Sequence, residues 1–241
     1  MEKYLYEDLY QLEESHWWHI AKREAVCALL GSCLRTVPAR ILDFGCGTGG
    51  NLRALSRFGE CFGVDASAEA VKFCEQKGLT KVSLFSGGDL QFDADSFDAV
   101  TLLDVLEHTE ESETLDAIRR VLRPGGYAIV NVPAYQWLWS RWDEVLHHKR
   151  RYTKASLTKA LVAHGFEVCR ISYMYSFLLL PVMVVRWVKS RGSDNEYVSD
   201  FKHSSPLMNN IGRFLSRLER WCVVRSLVPC GTSVIALARK I

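Results

Sequence analysis

The sequence predicts an α/β protein built on a doubly wound, mostly parallel sheet, and three observations carry that prediction. Residues 41–50 read Ile-Leu-Asp-Phe-Gly-Cys-Gly-Thr-Gly-Gly, a short apolar run closed by an acid and a glycine cluster. A second short run, Cys61–Asp65, ends in another acid about 20 positions further on. Beyond it, apolar runs alternate with amphipathic stretches, the pattern of strands joined by crossover helices. The chain has 241 residues and is 48% hydrophobic, enough for one sizeable core.

Taken in order, the first strand is expected over Arg40–Phe44 and the glycine loop follows it. Gly45, Gly47 and Gly49 let the chain turn sharply out of the strand and bring bare backbone against a ligand. The next strands are expected at Cys61–Asp65, Lys81–Phe85 and Phe97–Leu103, then a helix over Glu110–Leu122 and a turn at Arg123-Pro124-Gly125-Gly126. A strand over Tyr127–Val132 follows. A helix over Lys154–His164 is capped by Thr153 and closed by Gly165. Phe166–Tyr173 and Thr232–Arg239 read as the two halves of an antiparallel hairpin held apart by the long stretch 174–231.

The glycine loop also satisfies the Gly-x-Gly-x-x-Gly pattern that places a pyrophosphate at a helix N-terminus. Asp43 discriminates. A fixed carboxylate two positions before the first glycine suits a ligand carrying an ammonium group and repels a pyrophosphate in a poorly solvated cleft. That favours S-adenosylmethionine over NAD. Asp65 is the candidate for the ribose hydroxyls, with Ala66 beside it. In Ser86-Gly87-Gly88-Asp89-Leu90, Asp89 is the candidate acceptor for an adenine amino group and Leu90 the candidate to pack on the ring. Asp65 and Asp89 as simple turn or helix caps remain the competing reading.

With these residues in place, the chain resembles the class I S-adenosylmethionine-dependent methyltransferases over residues 38–173 and the last strand. The matching motifs are LDFGCGTG (42–49), GVD (63–65), GGDL (87–90), FDAVTLLDVLEH (97–108) and LRPGG (122–126). The resemblance implies a Rossmann-like seven-stranded sheet with an antiparallel terminal hairpin. It also implies that Asp43 and the loop Gly45-Cys46-Gly47-Thr48-Gly49 face the methionine end, and that Leu103 lines the cofactor. The subgroup it looks most like contains the ubiquinone-pathway O-methyltransferases. In that subgroup an N-terminal helix with tryptophan and a basic residue closes over the cofactor, which makes Trp17, Trp18 and Arg23 candidates for a lid, with His16 nearby. The expected organisation is a helical lid over 1–37, a cofactor-binding core over 38–173, an apolar and basic insertion over 174–231, and a final core strand over 232–241.

Methyl transfer to oxygen needs an aligned acceptor lone pair and, for an alcohol or phenol, removal of a proton. Leu103-Asp104-Val105-Leu106-Glu107-His108 leaves the fourth strand at the ligand-bearing edge of the sheet. His108 is the candidate base, with Asp104 or Glu107 to orient it. His147-His148-Lys149-Arg150-Arg151-Tyr152 lies after the fifth strand, and Asp104, Glu107, His108 and His148 form a set suited to a divalent ion. This set resembles that of the metal-dependent RNA 3′-end 2′-O-methyltransferases, although the rest of that family's sequence is not evident. Arg150, Arg151 and Tyr152 offer a different use, gripping an acidic substrate.

Adjacent tryptophans point different ways on a helix, so one of Trp17 and Trp18 is expected to reach the core and the other the cleft. In the insertion, an apolar run of roughly 15 residues from Met174 is short of a bilayer span and contains Pro181. Lys189, Arg191, Lys202, Arg213, Arg217, Arg220 and Arg225 follow. The readings are a pocket wall, a homodimer surface, or a membrane-surface patch approaching a lipid-linked substrate.

The formal charge of +2 gives no field that calls for nucleic acid. Eight cysteines without a Cys-x-x-Cys pair, and an N-terminus lacking the order of a secretory signal, lead to the expectation of a reducing, cytoplasmic setting with peripheral membrane contact through 174–231 as an option. The expected activity is methyl transfer to a small or moderately large organic acceptor at oxygen, with nitrogen next. The rival classes are an NAD-dependent oxidoreductase and a cofactor-binding protein without catalysis.

Overall fold

A computed structural model describes residues 3–34, 38–189 and 205–241. Residues 1, 2 and 35–37 of the expected lid, and Arg191 and Lys202 of the insertion, lie outside the described residues.

Seven strands form one sheet in the order β3-β2-β1-β4-β5-β7-β6. Strands β1 (Ala39–Phe44), β2 (Gly59–Asp65), β3 (Val82–Leu84), β4 (Phe97–Leu103) and β5 (Leu122–Pro133) run parallel, while β7 (Ser233–Lys240) is antiparallel to both β5 and β6 (Phe166–Met174). The doubly wound, Rossmann-like sheet with its antiparallel hairpin is therefore present. Central strands buried on both faces need continuous apolar sequence, and Ile41, Leu42, Val100, Leu102, Ile129 and Val130 are all fully buried.

The turn expected at Arg123–Gly126 is absorbed into β5. Leu122 pairs with Phe97 and the ladder then slips before Ala99 meets Tyr127, so the four residues bulge out with Gly125 at φ 77°. Flanking helices are α3 (Gly50–Leu55), α4 (Ala68–Gln76), α5 (Glu111–Val121), the short α6 (Arg141–Val145) and α7 (Lys154–Ala163). Their ends follow local chemistry. Ser67 accepts from the Ala70 N–H at 3.4 Å, Thr153 accepts from the Ser156 N–H at 3.1 Å, and α5 carries acids in its first turn and Arg119 and Arg120 in its last.

Outside the sheet, the N-terminal segment forms two helices, α1 (Lys3–Leu12) and α2 (Trp17–Cys33). Between β6 and β7 the chain makes α8 (Ser176–Lys189) and α9 (Pro206–Val224), and α9 packs along α2. Strand order reverses between β1 and β4, the switch point at which the carboxyl ends of the strands open a crevice. All functional geometry gathers there.

Candidate functional site

A cleft of about 1420 Å³ opens at the switch point, walled by the glycine loop, α1, α2, the segments after β4 and β5, and the start of α8. Gly45, Cys46, Gly47, Asp65, Ala66, Leu103, Asp104, Glu107, His108, His148, Trp18 and Arg23 all line it. Gly47 has φ 54°, and a Cβ there would meet only the tip of Leu9, so the loop presents backbone to the cleft.

The loop wall is held by charges that already have partners. Asp65 accepts from the Gly47 N–H at 2.8 Å and the Ser67 N–H at 2.9 Å, while burial raises its carboxyl pKa. Glu13, just beyond α1, accepts from the Thr48 hydroxyl at 2.6 Å and the Gly50 N–H at 3.0 Å, and pairs with Lys77. Glu13 is thus the latch between the N-terminal segment and the glycine loop, a role with no local signature in the sequence. Tyr6 also lines this end, its phenol pushed up to about 12 by burial and by Asp65.

Asp43 sits behind the loop, fully buried, taking the Thr101 hydroxyl at 2.6 Å on one oxygen. Its other oxygen has no hydrogen-bond partner among the described residues, and burial pushes its pKa up to about 7. It underlies the cleft without lining it. Gly49 likewise faces away: a Cβ there would strike Leu79 and Cys74.

The adenine candidates are placed differently from the expectation. Asp89 is an exposed side chain 4.0 Å from Arg120, outside the cleft wall, and Leu90 is buried in the core cluster. Gly87 and Gly88, at φ 91° and 78°, are the residues of this loop that line the cleft. Two successive left-handed residues reverse the chain, so backbone faces inward and the following acid swings to solvent.

Both tryptophans contribute to the wall, contrary to the expected division. Trp17 is buried, Trp18 half-buried, and their rings lie 5.7 and 5.0 Å from Tyr175, whose hydroxyl donates to the Trp18 carbonyl at 3.0 Å. The aromatic cluster docks α2 on the end of β6. Arg23 stands 3.7 Å from Glu14.

The opposite wall carries the acids and imidazoles. Asp104 follows β4 in the left-handed region at φ 57°, pairs with the buried Lys22 and accepts from Asn131 at 2.6 Å. That occupation separates it from the expected metal set and from orienting His108. Glu107, His108 and His148 do come together, each with a ligand atom within 4.8 Å of the others, and the two imidazole rings are 4.6 Å apart and nearly perpendicular. Glu107 is 1% exposed and neither carboxyl oxygen has a hydrogen-bond partner among the described residues; burial and Asp104 raise its pKa. Burial and His148 lower the His108 pKa to about 4, so its ring is neutral near pH 7.

His148 is fixed from behind. Its Nδ1 lies 2.8 Å from Asp143, which is fully buried and receives Arg151 in a two-point contact at 2.7 and 3.0 Å. The same carboxylate accepts from the Ser140 N–H at 2.8 Å, capping α6. Arg151 is therefore spent on Asp143, and Tyr152 donates to Glu111 at 2.7 Å with Arg150 3.9 Å from Glu111. These contacts replace the substrate-gripping use considered for the three residues.

Residues 42–130 match a family model described as a methyltransferase domain. The chain is 29% identical over 205 residues to the sterol 24-C-methyltransferase of Clavispora lusitaniae, a match covering 80% of this chain and 49% of that protein. It is 31% identical over 124 residues to the demethylmenaquinone methyltransferase of Tropheryma whipplei, covering 49% and 48%. The chain thus spans about half the length of these curated relatives. Among solved structures, an S-adenosylmethionine-dependent methyltransferase from Thermotoga maritima, described as a possible histamine N-methyltransferase, aligns with TM-score 0.61 at 17% identity over 98% of this chain and 95% of that one. Another, from Archaeoglobus fulgidus, gives 0.58 at 20% identity over 90% and 94%. At such identities the likeness is one of fold.

Proposed function

We propose that the chain, whose residues 42–130 match a methyltransferase domain, is a class I S-adenosylmethionine-dependent methyltransferase that transfers a methyl group to an oxygen of an organic acceptor held between the glycine loop and the Glu107–His108–His148 wall. The observation that carries this reading is the placement of those three ligating groups across one cleft from the exposed loop backbone. Bound cofactor supplies an electrophilic sulfonium methyl. Gly45, Gly47, Asp65 and Ala66 would hold it, with Asp43 as a fixed charge beneath and Trp18 and Arg23 closing over it. The open face of Gly47 admits a ligand against the loop backbone, and Asp43, buried beneath it, favours a cationic end there through space.

At the other wall, a buried carboxylate without a partner calls for a proton or a cation. Glu107 with two imidazoles fits a first-row divalent ion such as Mn2+ or Zn2+, which would fix the acceptor oxygen and favour its deprotonated form. His108, neutral near pH 7 but a weaker base than an ordinary imidazole because burial and His148 lower its pKa, is the second candidate to take the acceptor proton. The relatives' names put a sterol and a demethylmenaquinone among related acceptors, and the sterol enzyme's name places its methyl group on carbon, so transfer to carbon is the competing acceptor class.

Calorimetric titration with S-adenosylhomocysteine tests the cofactor assignment. Binding is expected, weakened by about 1–3 kcal/mol in Asp65→Ala through loss of charge-assisted bonds to the ribose. Preference for NADH would overturn the reading. A chelator should abolish turnover and Mn2+ or Zn2+ restore it; chelator-resistant turnover assigns the proton to His108 alone.

A further inference from the structure

The insertion between β6 and β7 presents a surface that methyl transfer does not use. On α9, Leu207, Ile211, Phe214, Leu218 and Trp221 recur at alternating spacings of four and three, so they form one stripe along the helix. All five are exposed, between 42% and 68%. A helix resting on a protein turns such a stripe inward. Here the inward face is small and polar over most of its length, with Val223 buried near its end: Gly212 lies against the Trp17 indole, Ser216 is buried, and Asn209 accepts from the Trp17 N–H at 2.7 Å. The hydrogen bonds and the close approach of Gly212 fix which side faces out.

Charge is distributed with the same asymmetry. Arg213 and Arg217 run along one edge of the apolar stripe at helical spacing, Arg220 next to them pairs with Glu24 of α2, and the Arg225 guanidinium lies 4.1 Å over the Trp221 ring. The one acid of α9, Glu219, is turned inward, accepting from the backbone N–H groups of Tyr175 and Ser176 at 2.6 and 2.7 Å at the start of α8. The outer face is thus apolar with a basic rim. On α8, Leu180, Met183 and Val184 are also exposed, while Leu178, Pro181 and Val182 line the cleft. Trp17 joins the two helices, 5.7 Å from Phe177 of α8 and packed on Gly212 of α9.

We propose that α8 and α9 form a docking surface for an anionic lipid bilayer, with the apolar stripe entering the interface, the arginines meeting lipid phosphates, and the cleft mouth turned toward the membrane. No helix among the described residues is long and apolar enough to cross a membrane, so the contact is interfacial. A second copy of the chain fits this face less well, because self-pairing would bring arginine rims together with the acid of α9 turned away. The proposal rests on the methyltransferase reading only in taking this cleft as the reaction site.

The test is co-sedimentation of the full chain with vesicles of equimolar phosphatidylglycerol and phosphatidylcholine, and with phosphatidylcholine alone. Binding to the anionic vesicles is expected, weakened at raised salt. Phe214→Glu with Leu218→Glu should reduce it about tenfold or more, and Arg213→Glu with Arg217→Glu should reduce it and remove most of the salt dependence. Unchanged affinity for S-adenosylhomocysteine shows that each variant is folded. A wild-type chain that ignores anionic vesicles, or variants that bind them undiminished, would overturn the proposal. So would a dimer in analytical ultracentrifugation that the apolar variants dissociate, with no vesicle binding. Vesicle binding without S-adenosylhomocysteine binding would leave the docking surface standing and remove the methyltransferase reading.

Discussion

The two walls of the cleft are built on opposite electrostatic plans. At the glycine loop, Asp65 and Glu13 are buried acids whose oxygens are met by backbone N–H groups, a hydroxyl and Lys77. Across the cleft, Glu107 is more deeply buried and its carboxyl has no hydrogen-bond partner among the described residues. A satisfied wall is rigid without a ligand and suits a molecule that binds the same way at every turnover. An unsatisfied wall is costly until something charged or acidic arrives, which suits the place where a proton leaves or a cation sits. The clamp behind His148 belongs to the first plan, with the buried Asp143 supporting a ligating group from outside the cleft lining.

The contrast breaks most visibly at Glu107. Glu107→Gln keeps size and removes the ionisable group, so turnover should fall about 10²–10⁴-fold while affinity for S-adenosylhomocysteine stays within about twofold. His108→Ala should behave alike. Single-turnover rates measured beside calorimetric affinities decide the matter; a parallel loss of cofactor binding would mean that the walls are not functionally separate.

Next in size is the clamp. Asp143→Ala leaves the Arg151 guanidinium and the His148 ring without their shared partner in a buried site, and breaking such a pair costs about 3–5 kcal/mol. Urea unfolding should register that loss. The adjoining double variant Asp143→Ala with Arg151→Met removes the stranded charge and should recover much of the stability, yet leave turnover depressed because His148 is no longer oriented. Recovery of both would reduce Asp143 to a purely structural role.

How much of this was readable in advance follows from the range of each interaction. The strands, the glycine loop and Asp65 are local patterns set by burial on both sheet faces and by tight turning, and they lie where the sequence put them. His108 and His148 were likewise legible from the segments leaving β4 and β5. Glu13 was not, because its partners Thr48 and Gly50 are brought to it only by the docking of α1. Asp104 and Glu107 looked interchangeable in sequence; Lys22, on a helix some eighty positions away, engages the first and leaves the second bare. Asp89 went astray for a conformational reason, since the paired glycines before it set the direction of the side chain. For Asp143 a local signal is present, an acid five positions before His148 and eight before Arg151, within reach of both across the turn that follows α6.

The smallest effect concerns Asp43, which combines features of both walls: one oxygen satisfied by Thr101, the other bare. Its pKa of about 7 in the folded chain lies above the ordinary 3.8. Between those values the folded chain holds a proton that the unfolded chain has released, so this group's contribution to stability is fully present below about pH 4 and is lost as pH rises toward 7. The slope from one such group approaches about 1 kcal/mol per pH unit. Asp65 and Glu107, also raised, act with the same sign. Asp43→Asn keeps an acceptor for Thr101 and should therefore flatten the decline without abolishing it, as read by urea unfolding at pH 5, 6 and 7. For cofactor the sign inverts, because the ligand's ammonium group favours the carboxylate: S-adenosylhomocysteine should bind the wild-type chain several-fold more tightly at pH 8 than at pH 6, and Asp43→Asn should lose that gain. A variant with unaltered pH dependence in both measurements would remove Asp43 from both the stability slope and the recognition of the cofactor.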